Sequence, residues 1–429
     1  MPGSRWSSVD AKRAMADVTE AQEALPKVAD VDMVGAKSLR GTRSLLAVAG
    51  LFAVNGLLIG GIGGTLPAMR QRLDVDAGGL AVLLVSLSVA AVVSMQIGGR
   101  LADSRGAGNV VMPACALLIA GVGSLAFAPT LPLAAAAMAL AGFGNGAMDV
   151  SMNALGVRVE QVRVKPVMSR LHACFSIGNL AGAAAVILIA RIAGDGGEVV
   201  TAALVTLALV AVIAGMTIWR SIPSATPVRT VERSAGGSPV RRGMRLPAGA
   251  LLLGAMAFSF GLAEGTAIDW SSVHVTDVAR VAPSTGALGL VAVSSFMVLI
   301  RLFGDRVVAA FGRANVVRFG GLVAAAGYLV VILGQPLPVL LVGWALVGLG
   351  VGLIAPQVYA AAGHAGGGRM LAVVVTFGYG AFLIGPAVIG ALIGWVGIRH
   401  AMAFPLVLSV ALVALSRVLS RSEPVGGQS

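Results

Sequence analysis

The sequence is dominated by long apolar runs, each of about the length that crosses a lipid bilayer as a helix. A transmembrane α-helix needs ~20 mostly apolar residues, and these runs lack the period-two alternation of barrel strands. Charged residues, glycines and prolines divide the chain into twelve runs, near 44–69, 78–99, 109–128, 131–157, 169–193, 198–219, 248–275, 284–304, 315–334, 337–362, 370–396 and 400–418. We therefore predict an all-α membrane protein with twelve transmembrane helices in two pseudo-symmetric six-helix bundles.

The composition excludes several classes of protein. Of the 429 residues, 57% are hydrophobic and only 12% are charged, which excludes a soluble enzyme, a secreted disulfide scaffold and a disordered regulator. The two cysteines, Cys115 and Cys174, lie in apolar runs without metal-ligand spacing. The sequence also contains no phosphate-binding loop and no recognisable catalytic set. We predict that the protein is not an enzyme and that it has no metal and no cofactor.

The basic residues predict an orientation. Five of them fall on the side opposite the termini, Arg70, Arg72, Arg191, Arg280 and Arg399, and all others fall on the side of the termini. Both termini are therefore expected in the cytoplasm, and the dispersed net charge of +12 predicts no nucleic-acid partner. The expected layout is a disordered cytoplasmic tail at 1–43, a six-helix bundle at 44–219, a cytoplasmic loop at 220–247, a second six-helix bundle at 248–419 and a cytoplasmic tail at 420–429.

The two predicted bundles carry matching signals at a nearly constant offset. Asp103 and Asp305 stand at the ends of the second and eighth runs, 202 positions apart. Glycines alternate with other residues at 142–146 in the fourth run and again at 348–352 in the tenth, 206 positions later. Small residues at such spacing let membrane helices approach closely. The agreement indicates an internal repeat of six helices.

A short loop motif suggests a family. The second run ends in a Gly-x-x-x-Asp-x-x-Gly motif, and related charges recur after the eighth run; the residues are Gly99, Asp103, Arg105, Gly106, Asp305 and Arg306. With its two repeated halves and long central loop, the sequence resembles the major facilitator superfamily over about residues 44–419. The resemblance implies a transporter in which these loop residues take part in gating. Segments 144–154, 170–178 and 263–270 look similar to a YbjJ-type branch, which implies a bacterial inner-membrane transporter of unspecified substrate.

Asp149 is the clearest candidate site residue within a run. An ionisable side chain at the bilayer centre costs ~2.5–3.5 kcal/mol on insertion scales and therefore indicates a function or a partner. Asp149 lies near the middle of the fourth run, and Asn145 and Asn153 lie one turn before and after it on the same helix face. We predict a role for Asp149 in ion coupling. The alternative is a structural role, with the carboxylate held by Arg170 or by asparagine amides.

Three other ionisable residues are candidates for ion coupling. Glu264 lies deep in the seventh run, where a carboxyl group binds a proton more readily than it does in water. Asp269 is five residues after Glu264 and therefore does not lie on the same helix face. Its position beside Trp270 is also typical of a residue that anchors a helix at the membrane interface. His172, near the inner end of the fifth run, can relay protons near neutral pH or serve as a solvated hydrogen-bonding residue.

Uncharged polar residues provide candidates for contacts with the substrate. They are Asn55, Asn145, Asn153, Gln357 and Tyr359. The family resemblance implies that the first, fourth, seventh and tenth spans, which hold Asn55 and the others, line a central cavity. Polar residues also join membrane helices to one another, so a structural role remains the alternative. Pro356 is expected to distort the tenth span beside two of them.

These features predict a secondary active transporter that moves a small solute across the bacterial inner membrane by alternating access, as a monomer, with H⁺ as the coupling ion. The alternatives are an efflux pump for drugs or toxins, and a membrane sensor with a transporter-like body that binds ligand without net flux. Low aromatic content, 5%, argues against a roomy drug pocket. The expected partners are the lipid bilayer, H⁺ and a small molecule whose identity the sequence leaves open.

Overall fold

A computed structural model of the chain describes residues 41–163, 167–195, 197–222 and 248–420. The tails predicted at 1–43 and 420–429 and the loop predicted at 220–247 lie almost wholly outside the described residues. Within the described residues every regular element is a helix. The fold class predicted from the apolar runs is therefore confirmed.

The first half contains six helices. They are α1 (Thr42–Arg72), α2 (Ala77–Arg105), α3 (Ala107–Ala126), α4 (Leu131–Arg163), α5 (Met168–Ala193) and α6 (Glu198–Ile218). Asp76 caps α2, because its side chain accepts a hydrogen bond from the amide of Gly79 at 2.9 Å. A one-residue turn at Gly106, with φ 88°, separates α2 from α3. Only glycine adopts this backbone conformation without strain, which explains the last position of the loop motif.

The second half repeats this arrangement. Its helices are α7 (Ala248–Ala279), α8 (Leu288–Phe311), α9 (Arg313–Leu333), α10 (Leu337–Val351), α11 (Ile354–Ala401) and α12 (Ala403–Leu415). Gly312, with φ 73°, separates α8 from α9 as Gly106 separates α2 from α3. The short motif thus builds the same tight turn in both halves.

Helix α11 reverses direction within its length. The hydroxyl of Tyr359 lies against Gly378, although 19 residues of straight helix would separate them by about 28 Å. The membrane-spanning parts are accordingly 337–362, formed by α10 and the first arm of α11, and 373–401, the second arm of α11. These two spans match the tenth and eleventh apolar runs.

The predicted count of twelve spans is not reproduced in full. In the described residues, eleven helices are long and apolar enough to cross a membrane. The twelfth apolar run forms a shorter helical stretch, Ala403–Leu419. The hydrogen-bond pattern changes at Met402, whose amide donates to the carbonyl of Arg399, three residues earlier, at 3.3 Å. This break ends α11 at Ala401, so the last helical stretch begins at Ala403 and is shorter than the apolar run 400–418.

Glycines bring helices into backbone contact in both halves. A Cβ atom at Gly142 would overlap the carbonyl of Leu87, and one at Gly348 would overlap the carbonyl of Val293. Gly142 and Gly348 are 206 positions apart, and so are their contacts Leu87 and Val293. Gly60 likewise lies against the backbone of Asn179, which packs α1 closely on α5. The repeat inferred from the sequence is therefore a repeat of helix–helix contacts.

Contacts between the halves concentrate at the end of the molecule where α1 joins α2, here named the α1–α2 end. Arg70 on α1 forms a bidentate ion pair with Asp277 on α7. Asp195, after α5, accepts a hydrogen bond from the amide of Ser284 at 3.2 Å. Gly390 on α11 packs on Ala81 of α2. The two bundles are thus joined at this end.

Two other arginines at the same end cap equivalent helices of the two halves, α3 and α9. Arg72 donates to the carbonyls of Ala126 and Ala128 at the end of α3, at 2.7 and 3.1 Å. Arg399 donates to the carbonyls of Ile332 and Leu333 at the end of α9. Unpaired carbonyls and the negative pole of a helix gather at its C-terminus, so these cations stabilise both helix ends.

Replacing Gly60 by Leu should lower the free energy of unfolding by ~1–3 kcal/mol or prevent folding, because the new side chain meets the backbone of α5. Gly123→Leu is the matched control, since no heavy atom lies within 4 Å of a Cβ there. Thermal unfolding of the purified proteins in detergent measures the difference. Equal losses in both variants would contradict the close α1–α5 packing.

The ion pair at the α1–α2 end predicts a rescue by charge exchange. Arg70→Asp and Asp277→Arg should each destabilise the protein by ~1 kcal/mol, because both side chains are partly exposed. The double variant should recover most of that loss, since opposite charges again face each other. Unfolding temperatures of all four proteins test this, and a double variant as unstable as the sum of the singles would refute the pairing.

Candidate functional site

Arg301 on α8 is the centre of a polar cluster that joins α7 and α8 of the second half to α5 of the first. Its Nη2 donates to Glu264 Oε1 on α7 at 3.0 Å, and its Nη1 donates to Ser176 Oγ on α5 at 2.6 Å. The side chains of Arg301 and Glu264 are only 15% and 11% exposed. A charge this deeply placed needs a partner of opposite sign. The pair satisfies that need, and through Ser176 it also connects the second half to the first.

Arg301 has a further hydrogen-bond partner, the Gly352 carbonyl, which is available because of Pro356. Proline has no N–H, so the carbonyl four residues earlier, that of Gly352, is left without its helical hydrogen bond. Helix α10 ends at Val351, and the Nε of Arg301 donates to the Gly352 carbonyl at 3.1 Å. The distortion predicted for the tenth span is therefore present. It creates an acceptor that holds the guanidinium in place.

A second hydrogen bond between the halves lies on the same pair of helices. Ser294 on α8 donates to Asn179 Oδ1 on α5 at 2.8 Å, and both residues are buried. Ser176 in turn donates to the carbonyl of His172 at 3.2 Å. Arg301, Ser176, Ser294 and Asn179 therefore form a polar seam between α5 and α8.

Asp149 is held by an asparagine rather than by a cation. Asn153 Nδ2 donates to Asp149 Oδ1 at 3.1 Å and to the Asp149 carbonyl at 2.8 Å. The carboxylate forms no ion pair with any described residue. Of the two structural partners considered from the sequence, Arg170 and an asparagine amide, the structure places the amide there. Asp149 is half-buried.

Tyr379, on the second arm of α11, lies near Asp149 of the other half. Its hydroxyl lies within electrostatic range of the Asp149 carboxylate and of the Tyr359 hydroxyl. Tyr359 is in turn within electrostatic range of Glu264. Polar groups from both halves thus connect the two carboxylates.

Asn55 and Asn145 bind each other. Asn55 Nδ2 on α1 donates to Asn145 Oδ1 on α4 at 3.0 Å, and Asn55 is only 2% exposed. This contact favours a structural role for Asn55, joining two helices of one half. Asn145 is half-buried and lies one turn from Asp149.

Four other predicted site residues, His172, Asp269, Gln357 and Tyr359, have different surroundings. His172 is exposed and stacks edge-on against Phe52 at 5.3 Å between ring centroids. Asp269 is half-buried and forms no hydrogen bond or ion pair with another described residue. Gln357 is buried, and the Tyr359 ring packs edge-on against Phe260 at 5.6 Å.

The loop motif forms its predicted tight turn, with little charge pairing in the described residues. Asp103, Arg105 and Arg306 are exposed, and Asp103 forms no ion pair with a described residue. Gly99 lies in α2 and Gly106 ends it. Asp305 lies in α8, and its side chain falls outside the description.

Arg301, Ser176 and Tyr379 were not singled out as site residues from the sequence. Arg301 stands at the inner end of the eighth run, 284–304, where the orientation count groups it with the basic residues of the following loop. A signal for it was available, because apolar residues flank it on both sides, from Phe296 to Ile300 and at 302–303. Ser176 and Tyr379 carry no comparable signal, since single hydroxyl groups are common in membrane helices.

Comparison with known proteins gives consistent matches. The family model described as Major Facilitator Superfamily matches residues 48–299. An uncharacterized transporter of Sinorhizobium fredii is 34% identical, over 80% of this chain and 90% of its own length. The membrane protein MosC of Rhizobium meliloti is 27% identical, over 88% and 90% of the two chains.

Among solved structures, the nucleoside transporter NupG matches with a TM-score of 0.69 and 13% identity, over 88% of this chain and 99% of that one. At this identity the likeness concerns the fold alone. None of these matches distinguishes the narrower YbjJ-type branch. The repeated bundles, the matched family model and the relatives named as transporters lead to one conclusion: this chain belongs to the Major Facilitator Superfamily and is a membrane transporter, not an enzyme.

Proposed function

We propose that the protein is a secondary active transporter that moves a small polar solute by alternating access, coupled to H⁺. The observation that carries the proposal is the Arg301–Glu264 ion pair, which lies between helices of the second half and extends to Ser176 of the first. The proposed setting is the bacterial cytoplasmic membrane, with both termini in the cytoplasm and a monomer as the working unit. The relatives named as transporters are bacterial, which supports that setting.

The ion pair offers a direct route from protonation to movement. While Glu264 is ionised it holds Arg301 in the geometry that also binds Ser176 across the interface. A proton on Glu264 removes the charge attraction, so the guanidinium is held less firmly and the seam between α5 and α8 weakens. Rocking of the two bundles then requires less energy. The carboxylate therefore links proton binding to the contact between the halves.

Closure at the α1–α2 end supports alternating access. The Arg70–Asp277 ion pair and the Asp195–Ser284 hydrogen bond join the halves there. A transporter that opens at this end has to break both contacts. Asp149 on α4 and Glu264 on α7 lie away from this end, and we propose that the solute binds near them. His172, exposed and within electrostatic range of Arg301, is placed to exchange protons with water.

Replacing either carboxylate should uncouple transport from protons. In liposomes containing the purified protein, a pH gradient should drive solute uptake, and Glu264→Gln and Asp149→Asn should each abolish that drive. The solute is first identified by screening a metabolite library for compounds that raise the unfolding temperature. Glu198→Gln is the control, because this exposed carboxylate lies at the start of α6, away from the interface.

The outcomes separate the possible functions. Full pH-driven uptake in both well-folded carboxylate variants would contradict the assignment of these residues. Ligand binding without net flux in the unmodified protein would indicate a sensor and refute transport as the proposed activity.

The ion pair also predicts a stability pattern. Arg301→Gln leaves Glu264 without a cation and should cost ~3 kcal/mol of unfolding free energy, because an unpaired charge remains in a buried position. Arg301→Gln combined with Glu264→Gln removes both charges and should restore most of that stability, while transport stays uncoupled from the pH gradient. Thermal unfolding of the single and double variants measures this. A double variant less stable than Arg301→Gln would count against the pair.

A further inference from the structure

In the described residues, the middle of the molecule contains more carboxylates than cations. Arg301 is a cation there, and Glu264 already neutralises it. Asp149 and Asp269 have no ion-pair partner among the described residues. An isolated carboxylate in a low-dielectric site is unfavourable unless it binds a proton or a cation. The surplus of negative charge indicates what kind of solute the cavity accepts.

Asp149 is the better placed of the two carboxylates. It lies at the centre of α4, whose ends are Leu131 and Arg163, and is therefore near the middle of the membrane. Asn153 fixes one of its oxygens, Oδ1, at 3.1 Å. The second oxygen accepts no hydrogen bond from a described residue, and the residue is half-buried. A positively charged donor can therefore reach a carboxylate whose orientation is already set.

The groups around Asp149 suit a polar cation. Tyr379, from the opposite half, lies within electrostatic range of Asp149 and supplies a hydroxyl for a polar solute. Asn145 lies one turn away with its carbonyl oxygen occupied by Asn55, which leaves its amide nitrogen free to donate. An anionic solute at the same place would meet an uncompensated carboxylate, while Arg301 remains occupied by Glu264.

From this arrangement we infer that Asp149 is the binding site for the protonated amine of a small organic cation. This inference rests on the proposed transport function and specifies its substrate class. The ammonium group donates to the free oxygen of Asp149, and Asn145 and Tyr379 contact the neutral part of the solute. A ligand held there touches both halves, because Asp149 belongs to the first and Tyr379 to the second.

The same carboxylate binds either a proton or the amine. When the cation arrives at protonated Asp149, the carboxyl group releases its proton to water and the ammonium takes its place, so the net charge of the site stays constant. Tyr379 is within electrostatic range of Asp149, and Tyr359 is within electrostatic range of Glu264. Proton release therefore accompanies cation binding.

A set of matched probes tests the substrate class directly. The probes form two series, and the members of a series share one ring and differ in charge. The first series is glucosamine, glucose and glucuronate; the second is cyclohexylamine, cyclohexanol and cyclohexanecarboxylate. The purified full-length protein in detergent is treated with dicyclohexylcarbodiimide, which modifies protonated carboxyl groups in apolar surroundings. Mass spectrometry then measures modification at Asp149 and at Glu264, with and without each probe.

At least one amine should protect Asp149 from modification and raise the unfolding temperature, and its neutral and acidic counterparts should do neither. Asp149→Asn should weaken amine binding at least ~10-fold, as expected for loss of a charge-assisted hydrogen bond. Asp269→Asn, which removes the other unpaired carboxylate, should bind the amine nearly as well as the unmodified protein. The Asp149→Asn change is almost isosteric, so it preserves the fold.

Protection by the neutral or acidic probes instead of the amines would overturn the inference, as would the absence of protection by any amine. Amine binding that survives Asp149→Asn and disappears in Asp269→Asn would also overturn it. These results are separate from the test of transport. A neutral solute driven by the pH gradient would leave proton-coupled transport intact and refute only the substrate class, whereas amine binding without any flux would refute transport.

Discussion

The cost of placing charge in a low-dielectric membrane governs the interior of this protein. Arg301 is tolerated there because Glu264, Ser176 and the Gly352 carbonyl satisfy it together. The third of these acceptors exists because Pro356 cannot donate a hydrogen bond. One proline, one carboxylate and one hydroxyl thus hold a cation at the boundary between the halves. The same physical cost makes the unpaired Asp149 informative about the solute.

Close helix packing provides the rigid frame on which this site depends. Gly60 packs α1 on α5, and Gly142 and Gly348 make equivalent contacts in the two halves. In a membrane there is little hydrophobic gain from joining two apolar helices, so close van der Waals contact has to stabilise the pair. In the described part of the chain, the polar contacts between the halves lie at the α1–α2 end and along the seam between α5 and α8.

Much of the fold was predictable because it depends on local properties of the chain. Apolar length predicts membrane helices, and the recurrence of glycines at a fixed offset predicts two similar bundles. The count failed at the last helix, because the break at Met402 depends on local hydrogen bonding rather than on hydropathy. The site was only partly predictable. Asp149 and Glu264 were identified by the cost of burying them, but the orientation count groups Arg301 with the basic residues of a loop.

The sequence by itself determined the environment, the helical class, the repeat and the identity of the buried carboxylates, since each follows from composition or spacing along the chain. Tertiary structure decided which charges meet. Glu264 and Arg301 are 37 positions apart and come together only because α7 and α8 pack side by side. Asp149 and Tyr379 belong to different halves and come near each other only when the bundles assemble. Charge pairing depends on distance in space, which hydropathy and spacing do not encode.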